Sequence, residues 1–181
     1  PQLPLSVLGE LYDQLTIASW RQSKIDQSAI YNAKAEEVAR KTGDQGLLAS
    51  ALLSKANIHS WRGEISKSLA TYDECLKFER YIEVRTLGSV FSNLGAVLYE
   101  SADFDRGEAM LNKAIKLFQN SSRPTNLSIA HCHLAILFIE TNKLDDAEKE
   151  IQLSVEYAKA DDYRRGQQMA KLIQAELAAR R

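Results

Sequence analysis

Four columns of residues recur along this chain at steps of 40, 39 and 40. One holds small residues, Thr16, Ala56, Gly95 and Ala135. A second is also small, Ser28, Ser68, Gly107 and Ala147, and a third reads Ala35, Cys75, Ala114 and Ser154. The fourth is apolar, Ile25, Ile65, Phe104 and Leu144. A shared register across four columns restricts the chain to a repeat architecture, in which each unit buries its apolar side against its neighbours.

Inside each unit the apolar period is that of a helix. Phe91, Leu94, Gly95 and Leu98 share one face, as do His131, Leu134, Ala135 and Phe138. A second helix then carries Gly107, Leu111 and Ala114, or Ala147, Ile151 and Val155. The expected helices are 5–21, 24–42, 46–61, 65–81, 84–101, 104–120, 125–141, 144–159 and 162–179. They pair into hairpins over 5–42, 46–81, 84–120 and 125–159, with 162–179 as a capping helix. Gly63 and Asn142 stand at equivalent turns, where a left-handed C-cap costs little. Pro124, after "NSSR", suits the first turn of a helix. Gly95 and Gly107 each weaken a helix by about 1 kcal/mol relative to alanine. Placed across a hairpin, they let two backbones approach closely, so the reading is architectural. The last stretch places Met169, Leu172, Ile173 and Leu177 on one apolar face, with Arg164, Gln168, Lys171 and Arg181 for solubility.

These residues resemble the tetratricopeptide repeat family. Its pattern has a large residue, Leu-Gly, an aromatic, then Ala and a large apolar residue in the next helix. Phe91, Leu94, Gly95, Leu98, Gly107 and Leu111 match it best. His131, Leu134, Ala135, Phe138, Ala147 and Ile151 match more loosely, and the second unit matches through Ala56, Ser68, Tyr72 and Cys75. In the first unit, Thr16 and Asn32 occupy the small and large sites. The period of 39–40 exceeds the family's 34 and the closing proline is absent. The longer period is similar to extended variants in bacterial regulators and adaptor proteins. The resemblance implies an all-α, right-handed superhelical array of antiparallel hairpins, an α-solenoid, forming one domain over 1–181.

Composition narrows the function. The chain has 181 residues and a net charge of −1, with no basic patch to hold nucleic acid or an anionic membrane. No apolar run reaches the ~20 residues of a membrane helix. Two cysteines, Cys75 and Cys132, form no metal or redox pattern and fit a reducing cytoplasm. The start, "PQLPL", reads as a piece of a longer protein.

Chemistry-bearing motifs are sparse. "HCH" at 131–133 places its two histidines on different helix faces, with no further ligands in sight, so no metal is expected. His59 reads as a packed histidine. "DDAEKE" at 145–150 reads as a solvated helix start, and Glu36–Arg40 as a surface pair. No nucleophile, base and oxyanion site assembles, and no cofactor fingerprint appears, so neither catalytic residues nor a cofactor are expected.

A solenoid instead offers a concave groove lined by the first helix of each hairpin. The side opposite the core carries Gln14, Ile17 and Arg21, then Ser54, Asn57 and Trp61, then Asn93, Ala96 and Glu100, then His133, Ile136 and Glu140. Gln14, Ser54, Asn93 and His133 form a polar column able to hold a peptide backbone. Members of the family that grip chaperone tails use two asparagines with basic residues as a carboxylate clamp. Asn57 and Asn93 match the asparagines, but Leu53, Ile129 and His133 stand at the basic positions, so the resemblance excludes such tails. The reading is a non-enzymatic module for a protein or peptide partner. The alternative is a sensory or oligomerisation domain of a bacterial regulator, with homodimerisation through exposed helix faces.

Overall fold

The computed structural model describes residues 3–121 and 124–181. Ser122 and Arg123 of the "NSSR" connection, and Pro1 and Gln2 of the start, lie outside the described residues. Two compact units are present, 1–83 and 84–181. The first holds α1 (Leu5–Arg21), α2 (Ile25–Thr42), α3 (Gln45–Trp61) and α4 (Ile65–Leu76), then a short 3-10 turn at Glu79–Tyr81. The second holds α5 (Val84–Glu100), α6 (Phe104–Ser121), α7 (Pro124–Glu140), α8 (Leu144–Ala160) and α9 (Arg164–Arg180). All described regular structure is helical.

In the first unit α1 packs on α2, α3 on α4, and α2 on α3. In the second, α5 pairs with α6 and α7 with α8, while α9 lies against α8 and α7. The expected helices recur with small changes at their ends, except α4. That helix stops at Leu76 instead of running to 81. Its end tightens into i to i+3 bonds, from Lys77 N–H to Glu74 and from Phe78 N–H to Cys75. No glycine or proline between 77 and 83 marks the stop in the sequence.

The small columns sit where helices touch. Thr16, Ala56 and Ala135 are buried, and so are Ser28, Ser68 and Ala147. A Cβ added at Gly95 would lie 2.6 Å from Leu111 Cγ and 3.1 Å from the Gly107 carbonyl oxygen. The two glycines therefore face each other across the α5–α6 hairpin, as expected. In the first unit serines occupy this contact without losing polar satisfaction. Ser28 Oγ donates to the Thr16 carbonyl at 3.0 Å, and Ser68 Oγ to the Ala56 carbonyl at 2.9 Å. Each hydroxyl finds its partner in the other small column, which removes the cost of burying it.

The turns inside the hairpins repeat as well. Gly63 and Asn142 are left-handed as expected, with φ of 70° and 57°. Ser23 and Ala102 adopt the same conformation, with φ of 59° and 60°, and so does Asp162 between α8 and α9, with φ of 47°. Each turn closes a Schellman pair. After α5, Asp103 N–H reaches the Leu98 carbonyl and Ala102 N–H the Tyr99 carbonyl, both at 2.9 Å.

Helix α9 buries Gly166, Ala170, Ile173 and Leu177. Leu172, expected on that face, is 73% exposed. It lies one position, about 100°, from Ile173, at the edge of the apolar arc and beyond the reach of α8.

Candidate functional site

The groove residues divide between the two units. In the first, Gln14 and Arg21 on α1 are exposed and Ile17 is half-buried. On α3, Ser54 and Asn57 are half-buried, while Trp61 is 64% exposed. In the second, Asn93 and Ala96 on α5 are half-buried and Glu100 is exposed. On α7, His133 and Ile136 are half-buried and Glu140 is exposed.

Several of these side chains are already engaged. Tyr72 donates its hydroxyl to Asn57 Oδ1 at 2.5 Å, so this asparagine braces α4 against α3. Arg180 on α9 donates to Glu140 at 2.6 Å. Their neighbour Asp13 accepts from Ser50 Oγ at 2.8 Å, joining α1 to α3. Burial raises the Asp13 carboxyl, with the Ser50 bond acting against that.

His133 departs most from the sequence expectation. The helical wheel places it on the open side, away from His131. The residue keeps some surface, but its Nδ1 is buried without a hydrogen-bond partner among the described residues. Burial lowers the imidazole to about 4, offset in part by a hydrogen bond with the Ser92 backbone on α5. The ring is therefore neutral near pH 7 and is held between α5 and α7. A single-helix wheel has no view of the neighbouring helix that covers it.

The remaining histidines are paired. His131 Nδ1 lies 2.6 Å from Glu150 Oε2, with the ring stacked on Tyr157. His59 Nδ1 lies 2.5 Å from Glu64 Oε2. Cys132 meets Ser154 Oγ at 3.0 Å. Among the described residues no group of three or more His, Cys, Asp or Glu converges as metal ligands. No described helix is long and apolar enough to cross a membrane.

The sequence reading missed a polar junction between α2 and α3. Glu36, read as half of a surface pair, is largely covered and accepts from both Arg40 and Lys55. Burial opposes its ionisation, yet the two cations together hold its carboxyl below the usual range. Beside it Asn32 is 3% exposed, with its Oδ1 unpartnered among the described residues. The legible signal is Asn32 itself, a polar residue at the large apolar site of the repeat.

Comparison with solved structures places the architecture. BtubC from P. vanneervenii superposes with a TM-score of 0.76 at 20% identity, over 89% of this chain and 67% of that one. A signal-transduction ATPase with a tetratricopeptide repeat sensor, from Pyrococcus horikoshii, gives 0.75 at 17% identity over 93% of this chain. The chain spans 27% of that ATPase's length. PilF of Pseudomonas aeruginosa gives 0.66 at 17% identity, over 98% of this chain and 78% of that one. The fold is a tetratricopeptide-like α-solenoid of helix hairpins. No family model matches the sequence, and no curated protein matches it.

Proposed function

We propose that this chain is a non-enzymatic interaction module, a single domain over 1–181, that binds a peptide or protein segment along its first-helix stripes. The observation that carries this reading is Trp61. It is a large aromatic side chain, 64% exposed, on the stripe shared with Asn57 and Ser54. Aromatic anchors of this kind are enriched where partners dock, and they contribute disproportionately to affinity. Gln14 and Arg21 on α1 supply exposed polar groups on the same unit. The expected affinity is micromolar, about −8 kcal/mol. Carboxylate tails are not the expected ligand, because His133 is neutral and covered where a clamp needs a cation.

The test is selection from a displayed random-peptide library, followed by calorimetric titration of the enriched peptides. Trp61→Ala is expected to weaken binding at least tenfold with an unchanged Tm, a typical effect for an aromatic anchor. Peptides that bind Trp61→Ala as well as the original chain would overturn the groove reading.

A further inference from the structure

Helix α1 packs on α2 and α3, and its remaining side is open. Leu3, Leu5, Val7 and Leu11 are each about half exposed. Elsewhere in the repeat the same positions are covered. Ala51, Val90, Ala130 and Ala170 follow Leu11 at steps of 40, 39, 40 and 40, and each is 0% exposed. Leu48, Leu87 and Leu127 follow Leu8 in the same way and are buried too. For α3, α7 and α9 the cover is the helix before, α2, α6 and α8. Among the described residues of the first unit, no helix covers α1 in this manner.

The open side is not shaped for one more helix of the array. Under a covering helix this column holds Ala51, Ala130 and Ala170, small enough for close approach. Leu11 would hold such a helix off. Leu8, Leu11, Leu15 and Ala18 instead follow spacings of three, four and three, the seam of a two-helix coiled contact. Reversed on itself, this seam sets Leu11 against a second Leu15, and Leu8 against a second Ala18. The flanks admit a copy as well. Leu5, Val7, Tyr12 and Gln14 border the seam without charge, and residues 3–9 carry none. Arg21 stands at its far end, and Lys34 of α2 lies over the Tyr12 ring at 5.3 Å. The flanking charges are cations alone, so the contact rests on hydrocarbon rather than on ion pairs. An antiparallel pair lays Arg21 over the uncharged start of the other helix, whereas a parallel pair brings two arginines to one end.

The apolar side chains of this face expose on the order of 400 Å² together, the size at which a patch marks an interaction site. Two such faces with their polar rims cover roughly 1,000 Å², the floor for a specific contact and the range of a weak dimer. We propose that α1 docks a second copy of this chain, seam to seam and antiparallel about a two-fold axis. Trp61, on α3, lies outside this face, and neither reading depends on the other.

Sedimentation velocity on the full chain, from about 5 to 500 µM, tests it in the range of weak association. A concentration-dependent equilibrium of monomer and dimer is expected. Leu11→Glu and Leu11→Lys are each expected to remain monomeric with an unchanged helical spectrum, since Leu11 is exposed. An equimolar mixture of the two is expected to dimerise again, a rescue that a folding defect does not give. Leu11→Ala, which installs the residue of the covered helices, is expected to weaken the dimer severalfold. Leu172→Glu on α9 and Trp61→Ala are expected to leave it unchanged, so failure of the peptide reading is distinguishable. A monomer at every concentration, or a dimer that survives Leu11→Glu or is lost with Leu172→Glu, overturns the proposal. Absence of rescue in the mixture overturns the pairing of α1 with its own copy. A monomer whose α1 amides shift with a peptide of residues 104–121 assigns the face to a repeat helix and overturns it too.

Discussion

At Gly95 one methyl group decides whether a hairpin closes. An added Cβ would press on Leu111 Cγ at 2.6 Å and on the Gly107 carbonyl at 3.1 Å. Gly95→Ala gains about 1 kcal/mol of helix propensity but incurs overpacking of roughly 1–3 kcal/mol, with a backbone atom unable to give way. Net destabilisation by urea titration is expected. Gly107→Ala is the milder change, since its closest contact is the end of Leu137 at 3.1 Å. His133 supplies a pH dependence at the same scale. Its folded value is lowered to about 4 by burial, below the unfolded value near 6.5. The unfolded chain therefore takes up the proton first as pH falls. The stability linked to this ring is complete above about pH 6.5 and is lost progressively down to about pH 4, roughly 3 kcal/mol in all. Unfolding measured between pH 4 and 7 should show a shallower slope for His133→Gln.

The hairpin turns are the units where sequence and geometry diverge most instructively. Gly63 and Asn142 declare a left-handed residue by their type. Ser23 and Ala102 adopt it without any such sign, at φ of 59° and 60°. Only the register of the repeat, placing them in line with Gly63 and Asn142, could have identified them. A left-handed alanine costs roughly 1–2 kcal/mol. Ala102→Gly is thus expected to raise stability by about 1 kcal/mol in chemical unfolding, against the usual penalty of glycine beside a helix. Helix existence and pairing were legible because apolar period and small columns are local and repeated. The end of α4 was not, since it follows from backbone bonds at 74–78 and no punctuating residue. The candidate stripe was legible as a set of positions, but not in its occupancy. Asn57, Glu140 and His133 are claimed by Tyr72, Arg180 and Ser92 from other helices, and a wheel drawn for one helix carries no information about those neighbours.

Across the whole molecule the cores belong to two units, each with its own packed hairpins. Residues 84–181, expressed alone, are expected to unfold cooperatively with a helical spectrum, because α5 to α9 bury their apolar faces within that unit. A non-cooperative melt would contradict this. Light scattering of the full chain separates a monomeric adaptor from the dimeric sensory reading. Each unit also encloses one thiol, Cys75 in the first and Cys132 in the second, both almost fully buried. Burial pushes Cys75 up to about 11 and raises Cys132 too, so neither forms much thiolate while folded. An alkylating reagent can reach either sulfur only when the surrounding helices part. The chain thus carries two internal clocks, and timed thiol modification with peptide mapping would read the breathing rate of each half separately, without any engineered label.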